Sequence, residues 1–135
     1  MRVNAHLSFG GDCEEAFRCY ADTLGGTIVA MMRWADSPLA DRVPAAWREK
    51  ILHATLALDG GTLTGADVQP HEYAAPRGMH VLLSLADVAR AERAFAALAD
   101  RGAIHMPLQQ TFWAERFGML VDRFGTPWIF NCSTA

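Results

Sequence analysis

The chain lacks several features that would classify it at once. No apolar run approaches the roughly 18–20 residues that span a bilayer, so a membrane helix and a membrane partner are not expected. Basic residues are not in excess: 12 Lys and Arg stand against 15 Asp and Glu, for a formal net charge of -3. A nucleic-acid binder normally presents a basic face, so nucleic acid is not an expected partner either. Cysteine is scarce, and Cys13, Cys19 and Cys132 have no metal-ligand spacing. An odd, unpatterned set reads as reduced thiols, and the expected compartment is the cytoplasm. The N-terminus opens on a strand-like segment with no basic-then-apolar leader, which fits the same expectation. A glycine-rich strand-to-helix turn followed by an acidic residue, as a nucleotide-like cofactor would want, is not evident.

What is present is apolar content and repetition. Hydrophobic residues make up 51% of the 135 residues, enough for a packed core and too much for disorder. The chain is written twice. The first copy runs His6-Leu7-Ser8-Phe9, then Ala16-Phe17, Gly25-Gly26, and a stretch ending Arg33-Trp34. The second runs His80-Val81-Leu82-Leu83-Ser84, then Ala94-Phe95, Gly102, and a stretch ending Phe112-Trp113. Such an internal repeat restricts the fold more than any single residue does.

Each copy reads as strand, helix, strand, strand, strand. Val3 to Phe9 alternates, with Val3, Ala5, Leu7 and Phe9 on one side. Asp12 with Glu15 forms a candidate capping box ahead of the apolar stripe Ala16, Phe17, Tyr20, Ala21 and Leu24. Gly25-Gly26 stops that helix, and Thr27 to Trp34 is the next strand. Residues 35–49 form a long connection with a short helical turn expected at Pro44-Ala45-Ala46-Trp47. Lys50 to Leu58 and Thr62 to Ala66 flank the hairpin turn Asp59-Gly60-Gly61. In the second copy, Gly78 to Leu85 is a strand, Asp87 caps a helix ended by Gly102, and Ala103 to Trp113 is a strand that Pro107 should make an edge or bulged one. Phe117 to Asp122 and Trp128 to Asn131 form a last hairpin. The expected architecture is α+β: one domain over 1–135 built from two tandem βαβββ modules, about 1–67 and 77–135, whose mixed sheets enclose a groove.

The run Leu7-Ser8-Phe9-Gly10-Gly11-Asp12-Cys13-Glu14-Glu15-Ala16-Phe17 before Tyr20, the segment His53-Ala54-Thr55-Leu56, and the tail from Trp113 to Trp128 carry a resemblance. The chain resembles the vicinal oxygen chelate superfamily of glyoxalases, bleomycin-resistance proteins and dioxygenases, in its PhnB-like branch. The resemblance implies a glyoxalase-like fold and a homodimer. It also implies where a divalent metal would sit, with one ligand from the first and one from the last strand of each module. Those positions are Ala5, or His6 if the register slips by one, then Thr64, His80 and Ile129. Imidazole and carboxylate suit Zn, Ni, Mn or Fe, and open positions would let a substrate chelate. Here Ile129 stands where relatives place an acidic ligand and base, and a set without it binds metal weakly. No cofactor is therefore expected.

The candidate ligand-binding residues are His53, His80, His6, Trp34, Phe112 and Trp113. His53 lies opposite Leu52, Ala54 and Leu56 on its strand, and the aromatics would wall the groove mouth. Two functions compete. The first is binding of a small organic ligand in the groove without a required metal. The second is a metal-dependent lyase, isomerase or dioxygenase using His6, His53 and His80. Cys13 lies near a helix start, where a thiol pKa can fall, although an ordinary thiol is the simpler reading.

Overall fold

A computed structural model describes residues 1–133. The chain divides into two compact units, Met1–Ala74 and Ala75–Ala135. The first contains β1 (Ala5–Phe9), α1 (Cys13–Leu24), β2 (Thr27–Arg33), β3 (Ile51–Leu58) and β4 (Gly61–Asp67). The second contains β5 (Val81–Leu85), α2 (Val88–Ala99), β6 (Ala103–Gln109), β7 (Arg116–Val121) and β8 (Pro127–Cys132). The βαβββ repeat expected from the sequence is present in both. Each sheet has the order first, last, third, second: β1-β4-β3-β2 and β5-β8-β7-β6. The first and last strands pair in parallel, and the other pairs are antiparallel.

Alternation decides which face each helix covers. In the first unit Leu7, Phe9, Ala54, Leu56 and Leu63 are buried together with Ala16, Phe17 and Tyr20 of α1. In the second, Leu120, Trp128, Phe130 and Cys132 are buried with Ala91, Phe95 and Leu98 of α2. Phe17 meets Phe9 edge-on at 6.0 Å, and Phe95 meets Phe130 edge-on at 5.2 Å. Each aromatic or aliphatic side chain taken fully out of water contributes about 1.5–3 kcal/mol, so these stripes hold helix to sheet.

The helix ends differ from the sequence expectation in instructive ways. Asp87 caps α2 as expected, its carboxylate accepting from the Arg90 amide at 3.2 Å. Asp12 does not cap α1 through its side chain. That role falls to Asp67, at the far end of β4, whose Oδ1 accepts from the amides of Gly11 and Cys13, both at 3.0 Å. Its Oδ2 accepts from the Ile51 amide at 2.8 Å. A capping carboxylate supplied from across the fold leaves no local spacing to read. At the other end of α1, Gly25 adopts the left-handed conformation (φ 75) as expected. After α2 the left-handed residue is Arg101 (φ 57), not Gly102. Gly102 is needed for a close approach instead: a Cβ there would lie 2.3 Å from the Val121 carbonyl oxygen.

Three strand limits shift in ways that matter for function. The fifth strand begins at Val81, so His80 precedes it rather than lying on it. The sixth ends at Gln109, which leaves Phe112 and Trp113 in the connection to β7. Trp34 opens a short 3-10 turn rather than ending β2. The expected helical turn at Ala45–Trp47 is present, and Pro107 lies in an edge strand with two register shifts.

Candidate functional sites on the open sheet faces

The face of each sheet turned away from its helix carries the polar and aromatic residues that the core does not use. In the first unit the register sets His6 opposite Thr64, and Thr64 opposite Thr55. His53 lies two residues before Thr55 and so on the same face. The His6 Nδ1 is 2.7 Å from the Thr64 hydroxyl, and the His53 Nε2 is 2.9 Å from the Thr55 hydroxyl. Ala5, the preferred ligand position from the sequence, has the parity of Leu7 and Phe9 and belongs to the helix-covered side. The one-residue alternative, His6, is the side chain on the open face.

His6 titrates lower than an ordinary histidine. Partial burial of its ring is the larger cause, and the neighbouring His53 adds repulsion between like charges. An imidazole whose folded pKa lies below its unfolded value contributes stability that is fully present above the unfolded value, about 6.5. That contribution is lost as pH falls through the folded one. Urea denaturation should therefore show stability declining from about pH 7 downward, with His6→Gln flattening that decline. The difference should stay under about 1 kcal/mol, since the ring is well exposed. An unchanged acid slope in His6→Gln would contradict this account.

The open face of the second unit is apolar. Leu82 pairs with Ile129, Met119 with Ile129, and Phe117 with Asn131. Trp113 folds back on this face, its ring edge-to-face with Phe117 at 5.1 Å. Phe112 touches Trp113 at 4.7 Å but is itself 97% exposed. One polar group stands out: the Asn131 Oδ1 is buried with no hydrogen-bond partner among the described residues. Ser84 is its strand partner on β5. The sequence reading did not single out Asn131. Its signal was an Asn between Phe130 and Cys132, on the open side of an otherwise apolar strand.

The parallel pairing also corrects the repeat. His6 sits opposite Thr64, and the matching pair in the second unit is Leu82 opposite Ile129. The counterpart of His6 is therefore Leu82, and His80 lies two residues earlier, exposed, ahead of the strand. The four family positions thus hold His6, Thr64, Leu82 and Ile129. This donor set does not fit a catalytic divalent metal, which needs several nitrogen, carboxylate or thiolate ligands. Among the described residues no three His, Cys, Asp or Glu side chains are grouped to hold a cation.

Other groups weighed in the sequence are accounted for structurally. Trp34 is half-buried, and its indole Nε1 has no hydrogen-bond partner among the described residues. Burial pushes the Cys13 thiol well above its ordinary range, with the Asp67 and Asp12 carboxylates adding to the effect. The lowered pKa open to a helix-start thiol is therefore not realised. The turn from β1 to α1 does carry two glycines before Asp12, contrary to the sequence reading. Its amides at Gly11 and Cys13 are already taken by Asp67, so they are not offered to a phosphate.

The comparisons agree with this architecture. The profile of the Glyoxalase/Bleomycin resistance protein/Dioxygenase superfamily matches residues 2–130. The chain is 32% identical over 139 residues to the protein YjdN of Escherichia coli (strain K12), covering 97% of this chain and 95% of that one. The crystal structure of protein PA1353 from Pseudomonas aeruginosa superposes with a TM-score of 0.90 at 43% identity, over 98% of each chain. A putative 3-demethylubiquinone-9 3-methyltransferase, PhnB protein, from Bacillus cereus superposes with a TM-score of 0.83 at 25% identity, over 98% of this chain and 100% of that one. With its duplicated βαβββ units and a match over nearly its whole length, the chain belongs to the glyoxalase/bleomycin resistance protein/dioxygenase superfamily and resembles that superfamily's PhnB and YjdN proteins.

Proposed function

We propose that this protein binds a small organic ligand through the open faces of its sheets, without a required metal. The observation that carries the reading is the composition of those faces. Two imidazoles and two threonine hydroxyls lie on one, and Trp113, Phe117, Met119, Leu82 and Ile129 on the other. Directed polar groups on the first face, and an apolar platform with one orphaned polar atom on the second, are each what a small-molecule site uses, and each face is a candidate by itself. A carboxylate that could act as ligand and base is missing from the family positions, which favours binding over metal-assisted proton abstraction. The methyltransferase activity in the name of the Bacillus cereus relative gains no support from the β1–α1 turn, whose free amides are spent on Asp67. We further propose a homodimer in the cytoplasm, on the family resemblance and the reduced cysteines.

A screen of aromatic and heteroaromatic compounds should raise the melting temperature, because a ligand that binds only the folded chain stabilises it by mass action. Trp113→Ala should weaken any compound found in this way by about 10–100-fold, the range for losing a large aromatic contact. A compound whose affinity Trp113→Ala leaves intact would remove Trp113 from the site.

The metal-dependent reading rests on His6 and His53 sharing a face, with His80 as a third ligand. Metal content of protein purified without chelator separates the two. Less than about 0.1 Zn, Ni, Mn or Fe per chain is expected for a chain without the usual ligand set. Near-stoichiometric metal, lost in His6→Ala, would overturn the metal-free reading.

A further inference from the structure

The first unit's open face has a feature that ligand binding in general does not require. His6 and His53 each commit one ring nitrogen to a threonine hydroxyl, Nδ1 to Thr64 and Nε2 to Thr55. Among the described residues the other nitrogen of each ring, His6 Nε2 and His53 Nδ1, has no hydrogen-bond partner. The two threonines are themselves paired across β3 and β4, so the four side chains form one row over three strands. A hydroxyl can donate to a ring lone pair or accept from a ring N–H. Each ring is thus free to present an N–H outward in either charge state.

The row also has no internal counter-ion. On the same face β1 adds Ser8, β4 adds Thr62 and Ala66, and β2 sets Met32 opposite His53. Several acidic groups of this unit are engaged elsewhere. Glu14 is held by Arg18 at 2.8 Å and by Arg33 at 3.0 Å. Glu49 lies 3.9 Å from Arg33, and Asp41 3.7 Å from Arg48. Asp67 is turned to backbone amides in the core. Among the described residues the histidine with a carboxylate partner is His71, beside Glu72 at 3.4 Å. Among the described residues the side-chain partners of His6 and His53 are hydroxyls, and no carboxylate is among the causes of the His6 shift.

We propose that the His6–Thr64–Thr55–His53 row binds the anionic oxygen of a small organic acid, and that the site takes up a proton as the anion binds. This rests on the small-ligand reading above and specifies the charge of the ligand. A carboxylate or phenolate oxygen accepts from both outward N–H groups. The incoming proton comes from solvent and stays on one imidazole, and no bond within the ligand is made or broken. Only one ring is expected to carry charge, because the two already repel each other. The anion offsets that repulsion, so its binding must raise the ring pKa, and by linkage a proton must raise anion affinity.

The test follows the two rings by the NMR titration of their Cε1–H signals, with benzoate and acetate as anions and benzamide as the neutral control. Benzoate should raise the His6 pKa to its ordinary value or above. Its affinity should fall with rising pH by up to about tenfold per pH unit between the free and the benzoate-bound His6 pKa, the slope for uptake of one proton, and level off above the bound value. His6→Gln and His53→Gln should each weaken benzoate about tenfold or more while leaving the far-ultraviolet circular dichroism unchanged. Rings that titrate identically with and without both anions at tens of millimolar would overturn the proposal, as would benzamide binding as well as benzoate at pH 6. If neutral compounds still raise the melting temperature of the His6→Gln/His53→Gln double variant, the small-ligand reading stands and the anion row falls. If no compound stabilises the wild type, the broader reading falls, while the ring titration still decides the row.

Discussion

Asp67→Ala should come close to unfolding the first unit at 25 °C. The Asp67 carboxylate is 1% exposed and accepts three backbone N–H groups, from Gly11, Cys13 and Ile51. Removing it strands all three donors where water reaches poorly. An orphaned buried donor costs about 1–3 kcal/mol, so three of them, partly relieved by entering water, should cost about 3–5 kcal/mol. That is a large part of the roughly 5–15 kcal/mol that holds a domain folded. Asp67→Asn keeps the shape and one acceptor oxygen, and should cost about half as much. Urea denaturation followed by circular dichroism gives both numbers, and exchange of the Gly11 and Cys13 amides should accelerate together. A loss below about 1 kcal/mol in Asp67→Ala would mean that the three bonds contribute no more than exposed ones do.

The second unit has its own buried acid, and Asp122→Ala should cost about 2–4 kcal/mol by the same arithmetic. Asp122 Oδ1 accepts from the amides of Phe124 and Thr126 at 2.9 and 3.0 Å, and Oδ2 from the Trp128 indole N–H at 2.8 Å. It thereby builds the turn between β7 and β8 and orients the fully buried Trp128. Trp128 is also the reporter, since its fluorescence should shift to the red and quench as the turn loosens. Trp128→Phe removes one of the three donors, so the double variant should lose less than the sum of the single losses. Strict additivity would show that the indole and the carboxylate do not depend on each other.

These two acids mark where sequence reasoning stops. The repeat, the helix stripes and most strands were legible because they follow local periodicity. The last hairpin, which Asp122 closes, was legible as well, though not the three bonds that Asp122 accepts. Asp67 was not, since its partners lie 16, 54 and 56 residues away in the chain. The candidate site was half legible. The types His6, His53 and Trp113 were named from sequence, and the structure gives each a defined place on an open face. The alternation of β1 was legible, but the family position was set at Ala5 ahead of His6, one residue off, and His80 was matched two residues from Leu82, the counterpart of His6. In a strand one residue changes the face, and only the pairing of β1 with β4 and of β5 with β8 fixes the register. Asn131 was passed over because an orphaned oxygen is a property of surroundings.

The parallel pairing of first and last strands bears on the order of assembly. Residues 5–9 find their partners only at residues 63–67, so β1 is the earliest strand of its unit to be made and among the last to be paired. Closing so long a loop is slow compared with forming the local β3–β4 hairpin. Asp67 then completes two things at once, since it ends the strand that receives β1 and supplies the cap for α1. The helix start cannot settle before the sheet closes, and the sheet closes only when the unit's last strand is present. Such coupling makes each unit an all-or-none object during synthesis. The first unit holds all four strands of its own sheet, so its closure does not wait for the second.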